Sequence, residues 1–402
     1  MTLKALTKWR SLNRRQFLCW ISVMGVSTML CLWICLVKNT QQHHHLDSVR
    51  NDGPMTMPRK VLILSYMRSG STLTADIVQQ HPDVFYVFEP LFSVETIRGR
   101  YLAPVYLDKP SSLLSLRTEY SNKMDILKAF LSCSLSSVDL LTLHQHHMDK
   151  SKTTAQYNNC IHNTTIRDFE SKCLNKLIEK CQGSQISLIK TIRMKMEATE
   201  ELLHLNKDLK VILLVRDPRA TLMSRIRLSQ FSWRRVNVVE HHVRASFSHC
   251  SMVLRDVRDA VRLSNLYPGR VGILLYEKLI ENPTSMTELI YNFLDLQLTP
   301  KIASYVHNIT GAGLPDSCPL CTTRKNSTET ANRWRLDLSI DSVMQIDQNC
   351  LPLYDQLGYL PFKSAADLVN TNLPSWLEKP ISGFLTDRVY YTETRRPFST
   401  SH

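Results

Sequence analysis

Residues 61 to 73 read Val-Leu-Ile-Leu-Ser-Tyr-Met-Arg-Ser-Gly-Ser-Thr-Leu. An apolar, β-forming run stops at Ser65. A short polar loop carries Arg68, Gly70, Ser71 and Thr72, and a helical pattern then runs from Leu73 to Gln80. A buried strand, a tight loop and a helix N-terminus make an anion cradle, because backbone N–H groups without helical partners and the helix dipole converge there. The loop lacks the Gly-x-x-x-x-Gly-Lys spacing of nucleotide triphosphatases, and Arg68 stands where those loops carry lysine.

The segment Lys210-Val-Ile-Leu-Leu-Val-Arg-Asp-Pro-Arg-Ala-Thr-Leu-Met-Ser-Arg has the same grammar. A strand ends at Val215, Arg216 and Asp217 form the turn, and Pro218 suits a helical first turn, where no N–H is needed. Arg216 and Arg219 offer two-pronged forks to a phosphate, and Ser224 adds a hydroxyl two turns on. Asp217 reads as a helix cap. Two such sites on one sheet imply a ligand with two separated phosphates.

The elements that must position these loops follow from the pattern. Further strands are expected at Ile186–Ile189, Val211–Val215 and Val271–Leu275. Helical patterns lie between them at Glu197–Leu205, Arg244–Leu263 and Ser285–Phe293. Alternating strands and helices argue for an α/β domain with a central parallel sheet covered on both faces. Leu107 to Cys181, rich in Ser, His, Asn and Cys, reads as a less regular insertion held by disulfides.

The chain has 402 residues and a formal charge of +13, which points to polyanionic partners. Phe17 to Val37 carries no charged side chain and is long enough to span a bilayer. Lys4, Lys8, Arg10, Arg14 and Arg15 precede it, so residues 1–16 are expected to be cytoplasmic and the remainder luminal. The alternative, a cleaved signal peptide, wants a shorter apolar run and a better small-residue cleavage site. The expected layout is a signal anchor at 17–37, a polar stem at 38–58, a domain at 59–362 and a C-terminal tail at 363–402. Cys133, Cys160, Cys173, Cys181, Cys250, Cys318, Cys321 and Cys350 lie beyond the anchor, an even set that suits disulfides in an oxidising lumen. Sequons at Asn163, Asn308 and Asn326 fall on the same side. The histidines at 144, 146 and 147 lack enough neighbouring ligands for a metal site. Arg225, Arg227, Arg234 and Arg235, beside Phe231 and Trp233, suit an acidic sugar polymer in a luminal protein better than nucleic acid.

Arg68-Ser-Gly-Ser-Thr resembles the 5′-phosphosulfate loop of sulfotransferases, and Val215-Arg-Asp-Pro-Arg-Ala with Ser224 resembles their 3′-phosphate site. The likeness is strongest to the Golgi carbohydrate 6-O-sulfotransferases, with keratan sulfate and chondroitin types nearest. It continues through Asp83-Val-Phe-Tyr-Val-Phe-Glu-Pro-Leu, Ile189-Lys-Thr-Ile-Arg, Tyr276-Glu-Lys-Leu, Lys325-Asn-Ser and Trp334-Arg335. The chain departs from it at Thr72 and Leu73, where many relatives have Ser and Phe. The resemblance implies the P-loop-like sulfotransferase fold and a single-pass type II Golgi membrane protein. It implies 3′-phosphoadenylyl sulfate as donor, no metal, and a glycan or glycosaminoglycan acceptor; a homodimer stays open. The expected donor site comprises Met67, Arg68, Ser69, Gly70, Ser71, Thr72 and Leu73. Its second half comprises Arg216, Asp217, Pro218, Arg219, Ala220, Thr221, Leu222, Met223 and Ser224. Arg324, Lys325 and Trp334 are candidates for either substrate.

Sulfuryl transfer is an in-line displacement governed by positioning and charge stabilisation, so Arg68 is expected to meet charge on the leaving phosphate. Glu89 ends the apolar stretch Val84 to Phe88. On a strand parallel to the first, its carboxylate lies beside the loop as general base for the C6 hydroxyl of galactose, N-acetylgalactosamine or N-acetylglucosamine. An ion pair to Arg68 is its structural alternative, and Glu277 is the second candidate base. A catalytically inactive glycan-binding protein of the same fold is the competing function, and a nucleotide kinase is disfavoured by the missing lysine.

Overall fold

Five apolar runs build one sheet: β1 (Arg59–Leu64), β2 (Val84–Phe88), β3 (Ile186–Thr191), β4 (Lys210–Val215) and β5 (Val271–Leu275). The computed structural model describes residues 57–99, 105–107, 118–165, 168–230, 238–314 and 321–385. The expected anchor at 17–37, the stem up to Thr56, the basic-aromatic stretch after Gln230 and Cys318 lie outside these. Among the described residues no helix is long and apolar enough to cross a membrane.

The strand order is β2-β3-β1-β4-β5, and every neighbouring pair is parallel. Successive side chains alternate between two cores, as the pleat requires. Leu62, Leu64, Phe85, Val87, Leu213 and Val215 face one; Val61, Ile63, Val84, Tyr86, Ile212 and Leu214 face the other. Burial on both faces explains why the strands read as unbroken apolar runs. From β1 the chain moves outward to β2, returns to β3 beside β1, and then crosses to β4 on the other side. The β1 and β4 loops therefore leave in opposite directions from adjacent strands, and a crevice opens between them.

The helices used below are α1 (Ser71–Val78), α2 (Phe92–Gly99), α3 (Glu119–Leu131), α4 (Lys152–His162), α5 (Asn175–Gln182), α6 (Thr199–Leu205), α7 (Pro218–Gln230), α8 (Val238–Leu266), α9 (Tyr276–Glu281) and α10 (Ile340–Leu357). The described part of the 107–181 region, residues 118–165 and 168–181, is more ordered than its composition suggests. It contains α3, α4 and α5, with disulfides Cys133–Cys181 and Cys160–Cys173. Cys250–Cys350 ties α8 to α10, and Cys321 is disulfide-bonded as well. The expected tail is, as far as Leu385, part of the packed domain. Leu385 N donates to Ile273 O at 3.0 Å and Ile273 N to Gly383 O at 2.7 Å, covering the edge of β5.

Arg219 sits where these parts meet. Its side chain is fully buried rather than turned to a ligand. It donates to Asp217 Oδ2 at 2.8 Å, Asp347 Oδ1 at 3.2 Å, Leu360 O at 2.8 Å and Ser375 O at 3.2 Å. The guanidinium lies 4.4 Å over the Trp334 ring. The reading of Arg219 as a phosphate fork is thereby corrected: two carboxylates and two carbonyls use its donors, because the face of α7 that carries it points into the core. Arg219→Met should cost about 3–5 kcal/mol, the penalty for stranding buried carboxylates. Urea unfolding of the variant measures it, and a loss under about 1 kcal/mol would remove Arg219 from this role.

Candidate active site

The first loop is a tight turn closed by Ser69 N donating to Tyr66 O at 3.2 Å. Ser69 Oγ lies 2.6 Å from Ser65 Oγ, so this serine braces the loop from beneath. Arg68 holds φ 71 and Gly70 φ 92, both left-handed, before α1 begins at Ser71. Gly70 is needed twice over: a Cβ there would also come within 2.2 Å of the Tyr276 ring. Gly70 offers no side-chain cap, so the first-turn N–H groups of α1 keep their capacity for an anion. Behind the loop, Tyr66 OH donates to Asp256 Oδ2 at 2.7 Å, and Arg225 Nε donates to Met67 O at 3.0 Å.

The second loop touches the first. Arg216 Nη1 donates to Arg68 O at 3.0 Å, and Arg68 Nε donates to Ser224 Oγ at 2.9 Å. Arg216 lies 4.5 Å over the Tyr276 ring. Asp217 caps α7 by accepting from Arg219 N at 2.9 Å. Helical periodicity then divides the expected residues. Ala220, Met223, Ser224 and Arg227 line the cavity, whereas Leu222 and Ile226 share the buried face with Arg219. Asp217, Pro218 and Thr221 are also off the wall. From the first loop, Met67, Arg68, Gly70, Ser71, Thr72 and Leu73 are on it.

Glu89 forms a third wall. β2 pairs with β3 rather than with β1, so Glu89 stands one strand further from the first loop than expected. Glu89 N donates to Lys190 O at 2.9 Å, and the residue then turns at φ 49. Its carboxylate is buried. Oε1 accepts from Lys190 Nζ at 2.7 Å; Oε2 accepts from Arg193 Nη1 at 2.7 Å and Ile192 N at 3.2 Å. Its ion-pair partners are thus Lys190 and Arg193, not Arg68. A carboxylate has about four lone-pair sites, so Oε1 keeps capacity for one more donor. Glu277 is elsewhere: its oxygens accept from Asp217 N at 2.9 Å and Tyr359 OH at 3.0 Å, beneath the second loop. It is an internal prop and does not line the cavity.

Residues 58–300 match the Sulfotransferase family. The chain belongs to the sulfotransferase family. It is similar to carbohydrate sulfotransferase 1 of Danio rerio, 29% identical over 357 residues, covering 81% of this chain and 83% of that protein. Carbohydrate sulfotransferase 6 of Homo sapiens is 26% identical, covering 81% and 86%, and carbohydrate sulfotransferase 3 of Mus musculus is 25% identical, covering 78% and 71%. Among solved structures, the sulfotransferase domain from the curacin biosynthetic pathway is 19% identical with TM-score 0.42, covering 74% of this chain and 98% of that domain.

In this sulfotransferase the three walls enclose a cavity of about 640 Å³. Arg68, Arg216 and Arg324 line it together with Arg227, which pairs with Asp337. Burial, followed by the nearby Arg216 and Arg324, pulls the Arg68 guanidinium below its ordinary range, a sign of crowded positive charge that an anion relieves. Sequence reasoning gave no role to Lys190, Arg193, Tyr276 or His147, all on the cavity wall. Lys190 and Arg193 fall within Ile189-Lys-Thr-Ile-Arg, and Tyr276 opens Tyr276-Glu-Lys-Leu, so motif spacing points to three of these four. Among the described residues no group of three or more His, Cys, Asp or Glu side chains is arranged to hold a metal.

Glu277 supplies a pH test of this scaffold. Burial, with Asp217 adding repulsion, pushes its carboxyl from 4.5 up to about 7. The folded chain therefore keeps that proton over a range where the unfolded chain has lost it. Stability from this residue is present below pH 4.5 and declines as pH rises toward 7, by about 1.4 kcal/mol per unit. Denaturant titrations should show that slope in the difference between wild type and Glu277→Gln. A difference that is flat, or that rises with pH, would contradict the assignment.

Proposed function

We propose that the protein transfers a sulfuryl group from 3′-phosphoadenylyl sulfate to the C6 hydroxyl of a galactose, N-acetylgalactosamine or N-acetylglucosamine residue. The acceptor is a glycan or glycosaminoglycan of keratan or chondroitin sulfate type. The same reading puts residues 17–37 across the Golgi membrane and the domain in the lumen. One observation carries it: two strand-to-helix cradles, bonded to each other, open on one cavity whose third wall presents a carboxylate.

The donor supplies an electrophilic sulfuryl group and a bisphosphate leaving group. Arg68 and the first-turn N–H groups of α1, with Ser71 and Thr72, meet negative charge at the 5′ end. Arg216, just before α7, and Ser224, two turns into it, hold the 3′-phosphate. Glu89 receives the hydroxyl proton of the acceptor at Oε1, while Lys190 and Arg193 fix the carboxylate in place. Left-handed backbone at both Arg68 and Glu89 fits this reading, since such strain gathers at working residues.

Radiolabelled sulfate transfer by the full chain to desulfated keratan, chondroitin and N-acetylglucosamine-terminated acceptors tests the function. Label should appear on C6; sugar binding without any transfer would favour the inactive glycan-binding alternative. Glu89→Gln should lower kcat by about 10²–10⁴ while affinity for adenosine 3′,5′-bisphosphate stays within about twofold. Retained turnover would exclude Glu89 as base. Arg216→Ala should weaken that bisphosphate by about tenfold or more, the worth of a charged hydrogen bond. Unchanged affinity would remove Arg216 from the phosphate site.

A further inference from the structure

The wall around Glu89 differs in kind from the two cradles. Phe88 closes β2, Phe92 opens α2, and a single turn at His146–Asp149 lays His147 against both rings, with centroids 5.3 and 4.4 Å away. Arg193 lies 5.0 Å over Phe92, and Lys190 Nζ lies 4.2 Å over Phe88. These cations are matched by carboxylates: Lys190 pairs with Glu89, and Arg193 pairs with Glu89 and Glu95. Two positive and two negative groups leave this wall without net charge, whereas the cradles are strongly positive. An uncharged, aromatic and hydrogen-bonding surface suits a hydroxyl-bearing sugar ring with an apolar C–H face.

His147 is a polar ring of this wall that makes no hydrogen bond among the described residues. It lines the cavity, and its Nδ1 is shut away from solvent with no partner. Nε2 is therefore the nitrogen able to meet a ligand. The ring is held from behind: Met148 N donates to Gln145 O at 3.1 Å, and Gln145 Nε2 donates to Pro90 O at 3.3 Å. Burial, helped by His146, draws the imidazole down to about 4, so it is neutral at neutral pH and in a mildly acidic lumen. A neutral imidazole donates or accepts one hydrogen bond and brings no charge to the wall.

We propose that His147 is a binding residue for the acceptor sugar: Nε2 hydrogen-bonds a ring hydroxyl and thereby sets which hydroxyl reaches Glu89. This rests on the proposed function for its choice of ligand. It makes the 107–181 insertion, which supplies His147, a determinant of acceptor specificity.

The test is calorimetric titration of the bisphosphate-loaded full chain with an oligosaccharide of alternating galactose and N-acetylglucosamine. His147→Phe keeps the aromatic packing and removes the nitrogen, while His147→Ala removes both. Each should weaken the oligosaccharide by about tenfold, one hydrogen bond's worth, with bisphosphate affinity unchanged. His147→Gln, which keeps a donor and an acceptor, should recover part of the loss. Wild-type affinity in His147→Phe overturns the inference, as does an equal fall in sugar and bisphosphate affinity, or a wild type that binds no sugar. If the wild type binds the sugar yet transfers no sulfate, the enzymatic reading fails while this titration still decides the role of His147.

Discussion

The site depends on the adjacency of β1 and β4. Their parallel register pairs Leu64 with Leu213, so both strands end at the same edge of the sheet. Their loops emerge side by side but belong to helices that leave in opposite directions. That topology brings Arg216 Nη1 to the carbonyl of Arg68, and Arg68 Nε to the hydroxyl of Ser224. The two loops are therefore joined into one unit and not two independent turns. Tyr276, the first residue of α9 after β5, completes it, filling the space that only a glycine at position 70 leaves open.

Such a device concentrates like charge, and the fold offsets this with buried polar supports. Arg219 joins the second turn to α10 and the C-terminal segment. Glu277 props the same turn from below. Asp256 on α8 anchors Tyr66, with its other oxygen accepting from Met196 N at 2.9 Å. Each side chain is costly to bury alone and satisfied where it stands. Together they hold left-handed Arg68 in a conformation that an isolated loop would leave. The third wall follows the same logic, with Lys190 and Arg193 restraining the Glu89 carboxylate.

Local grammar made much of this legible. Val61 to Leu64 and Lys210 to Val215 announce buried strands by apolar runs, and Pro218 announces a helix start, whereas the first helix begins at Ser71, two residues before the expected Leu73. Strand order was not legible, because a parallel run does not name its neighbour; β2 pairing with β3 moved Glu89 onto Lys190 and Arg193. Arg219 misled for a related reason. Spacing put it in a phosphate turn, but helical phase turned it into the core against Asp347, far along the chain. The 107–181 insertion hid its helices behind Ser, His and Asn, residues of modest helix propensity, since disulfides and tertiary packing supply its order. His147 is weighed in the sequence only as a metal ligand, because a histidine-rich run shows no other role until Phe88 and Phe92 are seen against it.

Whether the two joined cradles bind one ligand through two separated phosphates is read out most directly by calorimetric titration of the full chain with adenosine 3′,5′-bisphosphate and with adenosine 5′-monophosphate. One bisphosphate per chain should bind roughly a hundredfold or more tighter than the monophosphate, because its 3′-phosphate gains charged hydrogen bonds at Arg216 and Ser224. Equal affinity for the two nucleotides would contradict it.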